Sequence, residues 1–228
     1  MMVAGSRRWP AGGGGGAEGG ARLVWYAAYA SNLHAARLAC YLRGGRPDGG
    51  AHTYPGCRDH HPPLRDVAAV LPGALYFARE SAVWGGGSGF YDPAAPGELP
   101  CRAYLMTVSQ FSDIAAQEMR RSPGTDLDLT RTLTHGRDRL GPGRYETLVH
   151  AGELDGHPLL TFTAPEGLAG AELNPPSAPY LRTLAAGLAE SHGWNAHRCA
   201  DYLASRPGAA GHWTAADVLA VLGGGLDL

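Results

Sequence analysis

Leu23-Val24-Trp25-Tyr26-Ala27-Ala28-Tyr29-Ala30-Ser31-Asn32-Leu33 is the stretch that decides the fold. Up to Tyr29 it is apolar and aromatic without polar alternation, the pattern of a short strand buried on both faces. Small polar residues then turn the chain into a predicted helix from Leu33 to Leu42. Leu33, Ala36, Leu38, Cys40 and Tyr41 supply its apolar face, Asn32 is its expected cap, and Gly44-Gly45 stops it. A strand that bends this sharply aims free backbone N–H groups at one spot, and the helix adds positive potential there. Such a bend suits an anion or a polarised carbonyl, although Ser-Asn turns also serve as ordinary caps.

Working outward, Val67 to Leu71, Ala74 to Phe77 and Arg102 to Val108 read as strands, with a long Gly-, Pro- and His-rich loop from Arg46 to Pro63 before them. A helix follows from Ser109, its expected cap, through Arg121. Tyr145 to Val149 and Leu159 to Thr163 read as a hairpin about Glu153-Leu154-Asp155-Gly156. Helices are predicted over Ala178 to Glu190, Ala196 to Leu203 and Thr214 to Leu222, the last capped by Thr214. Strands first and helices mostly later, without regular strand–helix alternation, predict an α+β fold with a curled mixed sheet. No internal repeat is visible. Residues 1–21, with the glycine run Gly12 to Gly16, are expected to form a disordered tail, residues 22–206 one domain and residues 207–228 a C-terminal helical extension.

The composition narrows the chemistry. In 228 residues, 44% hydrophobic and 18% charged, there is material for one large domain. A net charge of -2 lacks the footprint of a nucleic-acid binder. All 19 basic residues are arginine, which excludes lysine Schiff-base chemistry and the phosphate-binding loop that needs a lysine. The 4 cysteines, Cys40, Cys57, Cys101 and Cys199, stand far apart and read as small buried hydrophobes. No apolar stretch approaches the length of a membrane span, and no apolar leader core opens the chain, so a cytoplasmic protein is expected.

Glu118 is the candidate for chemistry. Phe111 and Ile114 mark the buried face of the second helix, and four residues further along the same stripe stands a carboxylate. Burial raises a carboxyl pKa toward the range in which it exchanges protons near neutral pH. The alternative is a Glu at the stripe's edge paired with Arg120, Arg121 or another arginine.

Tyr29-Ala30-Ser31-Asn32-Leu33 after an apolar strand resembles the Tyr-Gly-Ser-Asn-Leu signature of the gamma-glutamylcyclotransferase-like superfamily. Three later blocks agree in order: Trp84-Gly85-Gly86-Gly87 with Phe90-Tyr91-Asp92-Pro93, Arg102 to Glu118, and Pro176 to Leu181 followed by Gly187, Gly193 and Tyr202. The resemblance covers Leu23 to about Arg206. It implies a small mixed β-barrel with flanking helices. The implied reaction releases an amino acid or amine from a gamma-glutamyl amide as the glutamyl part closes to 5-oxoproline, with no metal or cofactor. It also implies that Glu118 is the catalytic acid and base, and that the main chain of Ala30, Ser31, Asn32 and Leu33 holds the substrate while Tyr29 and Tyr180 line the pocket. The implied partner is a small gamma-glutamyl amide or amine, with no nucleic acid and no membrane.

There are departures from that pattern. Ala30 replaces a glycine and is strained if the bend needs positive φ. Met119 stands where glycine is common, and Trp194-Asn195 where Leu-Pro is usual. Rival readings are a metal-dependent amide hydrolase or deacylase using Asp59-His60-His61 or Asp155-Gly156-His157, and a non-catalytic binding module on the same fold. A nucleophile at Ser31 or Cys40 lacks a recognisable His and acid around it.

Overall fold

The computed structural model describes residues 3–8, 22–47 and 52–223. The chain runs β1 (Val3–Arg8), β2 (Leu23–Ala28), α1 (Ala35–Arg43), β3 (Arg65–Pro72), β4 (Ala74–Ala78), β5 (Ser88–Asp92) and β6 (Glu98–Thr107). It continues through α2 (Val108–Glu118), α3 (Thr130–His135), β7 (Arg137–Arg139), β8 (Thr147–Leu154), β9 (His157–Thr163), α4 (Ala178–His192), α5 (Ala196–Ala204) and α6 (Ala215–Gly223). A 3-10 turn, Ser31–Leu33, joins β2 to α1.

Seven strands form one sheet in the order β1-β3-β6-β2-β9-β8-β7. Pairing is antiparallel except between β2 and β9, where Trp25 and Tyr26 lie parallel to Leu159 and Leu160. The fold is therefore α+β with a mixed sheet. Its main-chain ladder ends at β1 and β7, so hydrogen bonding does not close it into a barrel among the described residues. The two-stranded ribbon β4–β5 is tied to β9 by Thr163, whose hydroxyl accepts from the Tyr91 N–H at 2.9 Å and donates to the Tyr91 carbonyl at 2.7 Å.

β2 is apolar throughout because both its faces are covered. Trp25, Ala27 and Tyr29 pack in the core that α4, α5 and α6 complete with Leu181, Leu184, Leu203, Val218 and Leu222. Val24, Tyr26 and Ala28 pack on the other side with Leu38 and Tyr41 of α1 and Phe111, Ile114 and Ala115 of α2. The Asp155-Gly156 turn of the β8–β9 hairpin has φ 49° and 76°, the pair of positive values that a two-residue turn needs to match strand twist.

Several expectations need correction. Val3–Arg8, inside the expected disordered tail, is an antiparallel strand paired with β3, while residues 9–21 lie outside the described residues. α2 is capped by Thr107 and not by Ser109. The Gln110 N–H donates to Thr107 Oγ1 at 3.1 Å, and the Thr107 N–H donates to Gln110 Oε1 at 3.2 Å, a reciprocal capping box. α2 ends at Glu118, so Arg120 and Arg121 lie beyond the helix. The short elements β7 and α3 are additional. Thr214 does cap α6, accepting from the Asp217 N–H at 3.1 Å.

Candidate active site

The bend after β2 is fixed from behind. Tyr104 Oη donates to the Asn32 carbonyl at 3.0 Å, and Arg102 donates to the Leu33 carbonyl at 3.3 Å. Arg102 also pairs with Asp66 at 2.6 Å and Glu190 at 3.0 Å, and Glu190 accepts from the Ala35 N–H at 3.0 Å, supporting the start of α1. α4 approaches so closely at Gly187 that a Cβ there would meet Leu33 Cβ at 2.5 Å and the His34 nitrogen at 2.7 Å. Within the turn, the Leu33 N–H donates to the Ala30 carbonyl and the His34 N–H to Ser31. The Ser31 and Asn32 N–H groups stand ahead of those acceptors, where a helical turn offers no internal partner.

Ala30 has φ -117° and ψ -140°; its φ is negative, so its methyl carries no left-handed strain. Asn32 does not cap α1, whose N-cap residue is His34 and which has no side-chain cap. Its amide Nδ2 instead donates to Glu118 Oε1 at 3.2 Å and to Tyr26 Oη at 3.1 Å. Its Oδ1, the atom that would cap a helix, has no hydrogen-bond partner among the described residues, and the side chain is oriented by its two tertiary acceptors.

Glu118 and the bend line one cavity of about 460 Å³, within the usual range for a small-molecule site. Tyr29, Ala30, Ser31, Asn32, Tyr180 and Glu118 all line it. Leu33 does not: its side chain is buried in the core against α4 and its N–H is spent inside the turn. The Tyr29 hydroxyl donates to the Phe162 carbonyl at 2.9 Å, and Tyr180 Oη accepts from the Gly89 N–H at 3.1 Å while its ring stacks on Trp84.

Burial pushes the Glu118 carboxyl above its ordinary range, against the opposing pull of Arg37, Tyr41, Asn32 and Arg144. Among the described residues no salt bridge consumes it: Arg121 pairs with Glu146, Asn32 donates to Glu118 at 3.2 Å, and Arg37 and Arg144 act on it through their charges. A carboxyl held this way can take a proton from an ammonium group and give it to a departing nitrogen.

Arg37, Tyr41, Tyr54 and Arg144 also line the cavity and were not anticipated. Arg37 is 3% exposed; its Nη2 donates to Tyr41 Oη at 3.0 Å and Tyr54 Oη at 2.6 Å. The spacing Leu33, Arg37, Tyr41 repeats the signal that singled out Glu118, a charge placed on an apolar helical stripe. Tyr54 reaches the site through a loop bridge, Gly45 to Tyr54, for which the local sequence carries no signal.

The remaining departures lie outside this cavity. Asn195 caps α5 by accepting from the Arg198 N–H at 2.9 Å, Trp194 packs on the core, and Met119 packs against the α1–α2 core. The metal-ligand candidates do not converge. Asp59 and His61 pair with each other at 2.7 Å in an exposed loop, and Asp155 pairs with Arg65 at 3.1 Å. Among the described residues no three His, Cys, Asp or Glu side chains come together as a metal site, and no helix is long and apolar enough to cross a membrane.

Fold and site together define an α+β protein with a carboxyl group facing a bent main chain across a cavity. No family model matches the chain. A relative, Histone deacetylase 5 of Arabidopsis thaliana, is 34% identical over 185 residues, covering 73% of this chain and 28% of that protein, so the chain spans less than a third of the relative's length. Solved structures similar to the chain include a gamma-glutamyl cyclotransferase, 17% identical with a TM-score of 0.48, covering 90% of this chain and 100% of that one. A second is an uncharacterized protein from Homo sapiens, 17% identical with a TM-score of 0.46, covering 87% and 99% of the two chains.

Proposed function

We propose that the protein is a cofactor-independent cyclotransferase that converts a gamma-glutamyl amide into 5-oxoproline and a free amine or amino acid. The observation that carries this reading is the 3.2 Å hydrogen bond from Asn32 to Glu118, which sets a carboxyl with a raised pKa beside the Ser31 bend in one cavity.

The chemistry asks little of the protein. Folded inside the cavity, the substrate brings its α-nitrogen against its own γ-carbonyl, and the intramolecular attack has a high effective molarity. Glu118 takes a proton from the α-ammonium. The freed amine attacks the γ-carbonyl carbon, forming the ring C–N bond, and the electron pair moves to the carbonyl oxygen. As the carbonyl reforms, the original amide C–N bond breaks and Glu118 returns the proton to the leaving nitrogen. The ring nitrogen, cationic after the attack, gives up its extra proton through the same carboxyl to the departing amine, which leaves as an ammonium ion beside a neutral lactam. The Ser31 and Asn32 N–H groups receive the glutamyl α-carboxylate, and Tyr29 and Tyr180 wall the pocket. Ser31 orients and does not attack. The negative φ of Ala30 removes the left-handed strain that would have argued against turnover.

The test incubates the protein with a panel of gamma-glutamyl amino acids and gamma-glutamyl amines, measures 5-oxoproline, and repeats the panel with Glu118→Gln. Product from the parent and none from the variant is expected. Equal activity of the two would reject the role of Glu118, and binding without product would select the non-catalytic module.

A further inference from the structure

Ring closure passes through a negatively charged γ-oxygen, and the bend N–H groups are already committed to the glutamyl carboxylate. A further donor is needed near Glu118, which must reach both the attacking and the leaving nitrogen. Hydrogens spent inside the protein do not qualify. Of the tyrosines that line the cavity, Tyr29 donates to the Phe162 carbonyl at 2.9 Å and Tyr145 to the Gly89 carbonyl at 3.1 Å. Tyr41 and Tyr54 form a cluster with Arg37, whose Nη2 donates to both hydroxyls.

Tyr26 differs. Its hydroxyl accepts from Asn32 Nδ2 at 3.1 Å, and the same nitrogen donates to Glu118 Oε1 at 3.2 Å. An ionised carboxylate only accepts, so the amide presents its nitrogen here and the tyrosine oxygen is an acceptor. The Tyr26 hydrogen is left unspent, with no acceptor among the described residues. Its ring is locked, stacked on Phe162 with centroids 5.2 Å apart and packed against Phe111 at 5.9 Å; the residue is 3% exposed and lines the cavity. Because one nitrogen bonds both groups, a substrate atom touching Glu118 lies within a few ångström of this hydroxyl. An O–H whose oxygen already accepts a bond is polarised into a stronger donor. Burial first, and then the Glu118 charge, hold the phenol above its ordinary range, so it keeps its hydrogen and does not act as a base.

We infer that Tyr26 is a catalytic residue, its hydroxyl donating to the γ-carbonyl oxygen as that oxygen takes up the electron pair. This rests on the cyclotransferase reading and adds to it the group that faces the developing charge. No proton changes hands at Tyr26: its O–H bond stays intact, and the hydrogen bond tightens as charge builds and relaxes as the carbonyl reforms. The rival donor is Tyr180, whose oxygen accepts from the Gly89 N–H on the Trp84 side of the cavity.

The test compares gamma-glutamylglycine with its γ-thioamide, in which sulfur, a weak acceptor, replaces the γ-carbonyl oxygen, and follows glycine release. Tyr26→Phe keeps the ring and removes the hydroxyl. On the oxygen substrate its kcat should fall about 10²- to 10³-fold, the worth of one oxyanion donor, with KM within about twofold of the parent. On the sulfur substrate the same change should cost less than about tenfold. Tyr180→Phe, at whatever rate it turns over, should keep the parent's preference for oxygen. Circular dichroism melts establish that the variants are folded. A crystal structure of Glu118→Gln protein with gamma-glutamylglycine leaves Tyr26 intact, so it decides the matter even if Tyr26→Phe does not fold. It should show the γ-carbonyl oxygen within about 3.5 Å of Tyr26 Oη. Equal kcat of Tyr26→Phe and parent on gamma-glutamylglycine rejects the assignment, as does a γ-oxygen turned to Tyr180, or an oxygen preference lost in Tyr180→Phe instead. A loss acting only through Asn32 and Glu118 would fall equally on both substrates and move the acid limb of the pH–rate profile, and it too rejects the assignment. If the parent forms no 5-oxoproline, the cyclisation fails and the role of Tyr26 with it; product from the parent alongside any of the preceding results rejects Tyr26 alone.

Discussion

Two arginines are buried to nearly the same degree, Arg102 at 2% and Arg37 at 3% exposed, and they have opposite surroundings. Arg102 is matched by Asp66 and Glu190 and gives a further bond to the Leu33 carbonyl, so its donors are spent on holding the bend in place. Arg37 has tyrosine hydroxyls on one nitrogen, no hydrogen-bond partner among the described residues on the other two, and no salt bridge, with Glu118 acting on it only through its charge. The nearby carboxyls differ in the same sense. Glu190, although burial alone would raise it, is drawn below its ordinary range by the Ala35 N–H and Arg102, whereas burial wins at Glu118. A buried charge that is fully matched builds structure. One that is left partly unmatched beside a cavity is available to a ligand or a proton.

The comparison breaks most visibly at the two carboxyl–arginine centres. Glu118→Gln should lower 5-oxoproline formation by about 10²- to 10⁴-fold, the usual worth of a general acid–base group, with the fold retained by circular dichroism. Arg102→Met should do the reverse kind of damage. It removes the buried cation that the Asp66 and Glu190 carboxyls both bind, and urea unfolding should show a loss of about 3–5 kcal/mol, as for a broken buried pair. A stable Arg102→Met protein would show that the matched network is not structural.

Asn32→Ala sharpens the contrast on the catalytic side. Losing a hydrogen bond to a charged group is worth about 1.5–3 kcal/mol, so kcat should fall about 10- to 100-fold. The acid limb of the pH–rate profile should move upward as well, because one of the groups that lower the Glu118 pKa is gone.

Stability should respond to pH with opposite signs at the two carboxyls. The native pKa of Glu118 lies above its unfolded value, so in the window between them the folded state binds more protons. Its contribution to stability is present below the unfolded pKa and is lost as pH rises through the folded one. Glu190 has the lower folded pKa, so its contribution is present above the unfolded value and lost as pH falls. Thermal melts of Glu118→Gln should therefore exceed those of the parent at neutral pH, with the gap closing below the ordinary carboxylate range. The smallest effect is expected from Ala30→Gly. With φ at -117° no strain is relieved, and the change should cost about 0.5–1 kcal/mol of stability while leaving kcat within about twofold.

Much of this arrangement is legible in the sequence, and the gaps have physical causes. β2 announces itself by an unbroken apolar run, and Glu118 by being a charge on a helical stripe. Arg37 carries the same mark on α1 but is masked by the apolar count around it. Asn32 follows a capping rule on paper and a tertiary bond in the fold, because the helix starts after His34 and the Asn32 Nδ2 donates to the Glu118 carboxyl. β1 is held by main-chain pairing to β3, which the Gly- and Arg-rich composition near the start conceals. Tyr54 and Trp84 come from loops brought in by distant contacts, and no periodicity marks them.

The central claim is that the glutamyl part of a substrate sits between Glu118 and the Ser31 bend. A crystal structure of Glu118→Gln protein with gamma-glutamylglycine tests it directly. The account predicts the glutamyl α-nitrogen within about 3 Å of the residue 118 side chain, with the glutamyl carboxylate on the Ser31 and Asn32 N–H groups. Ligand bound elsewhere, or a glutamyl chain lying extended with its nitrogen turned away from residue 118, would contradict it.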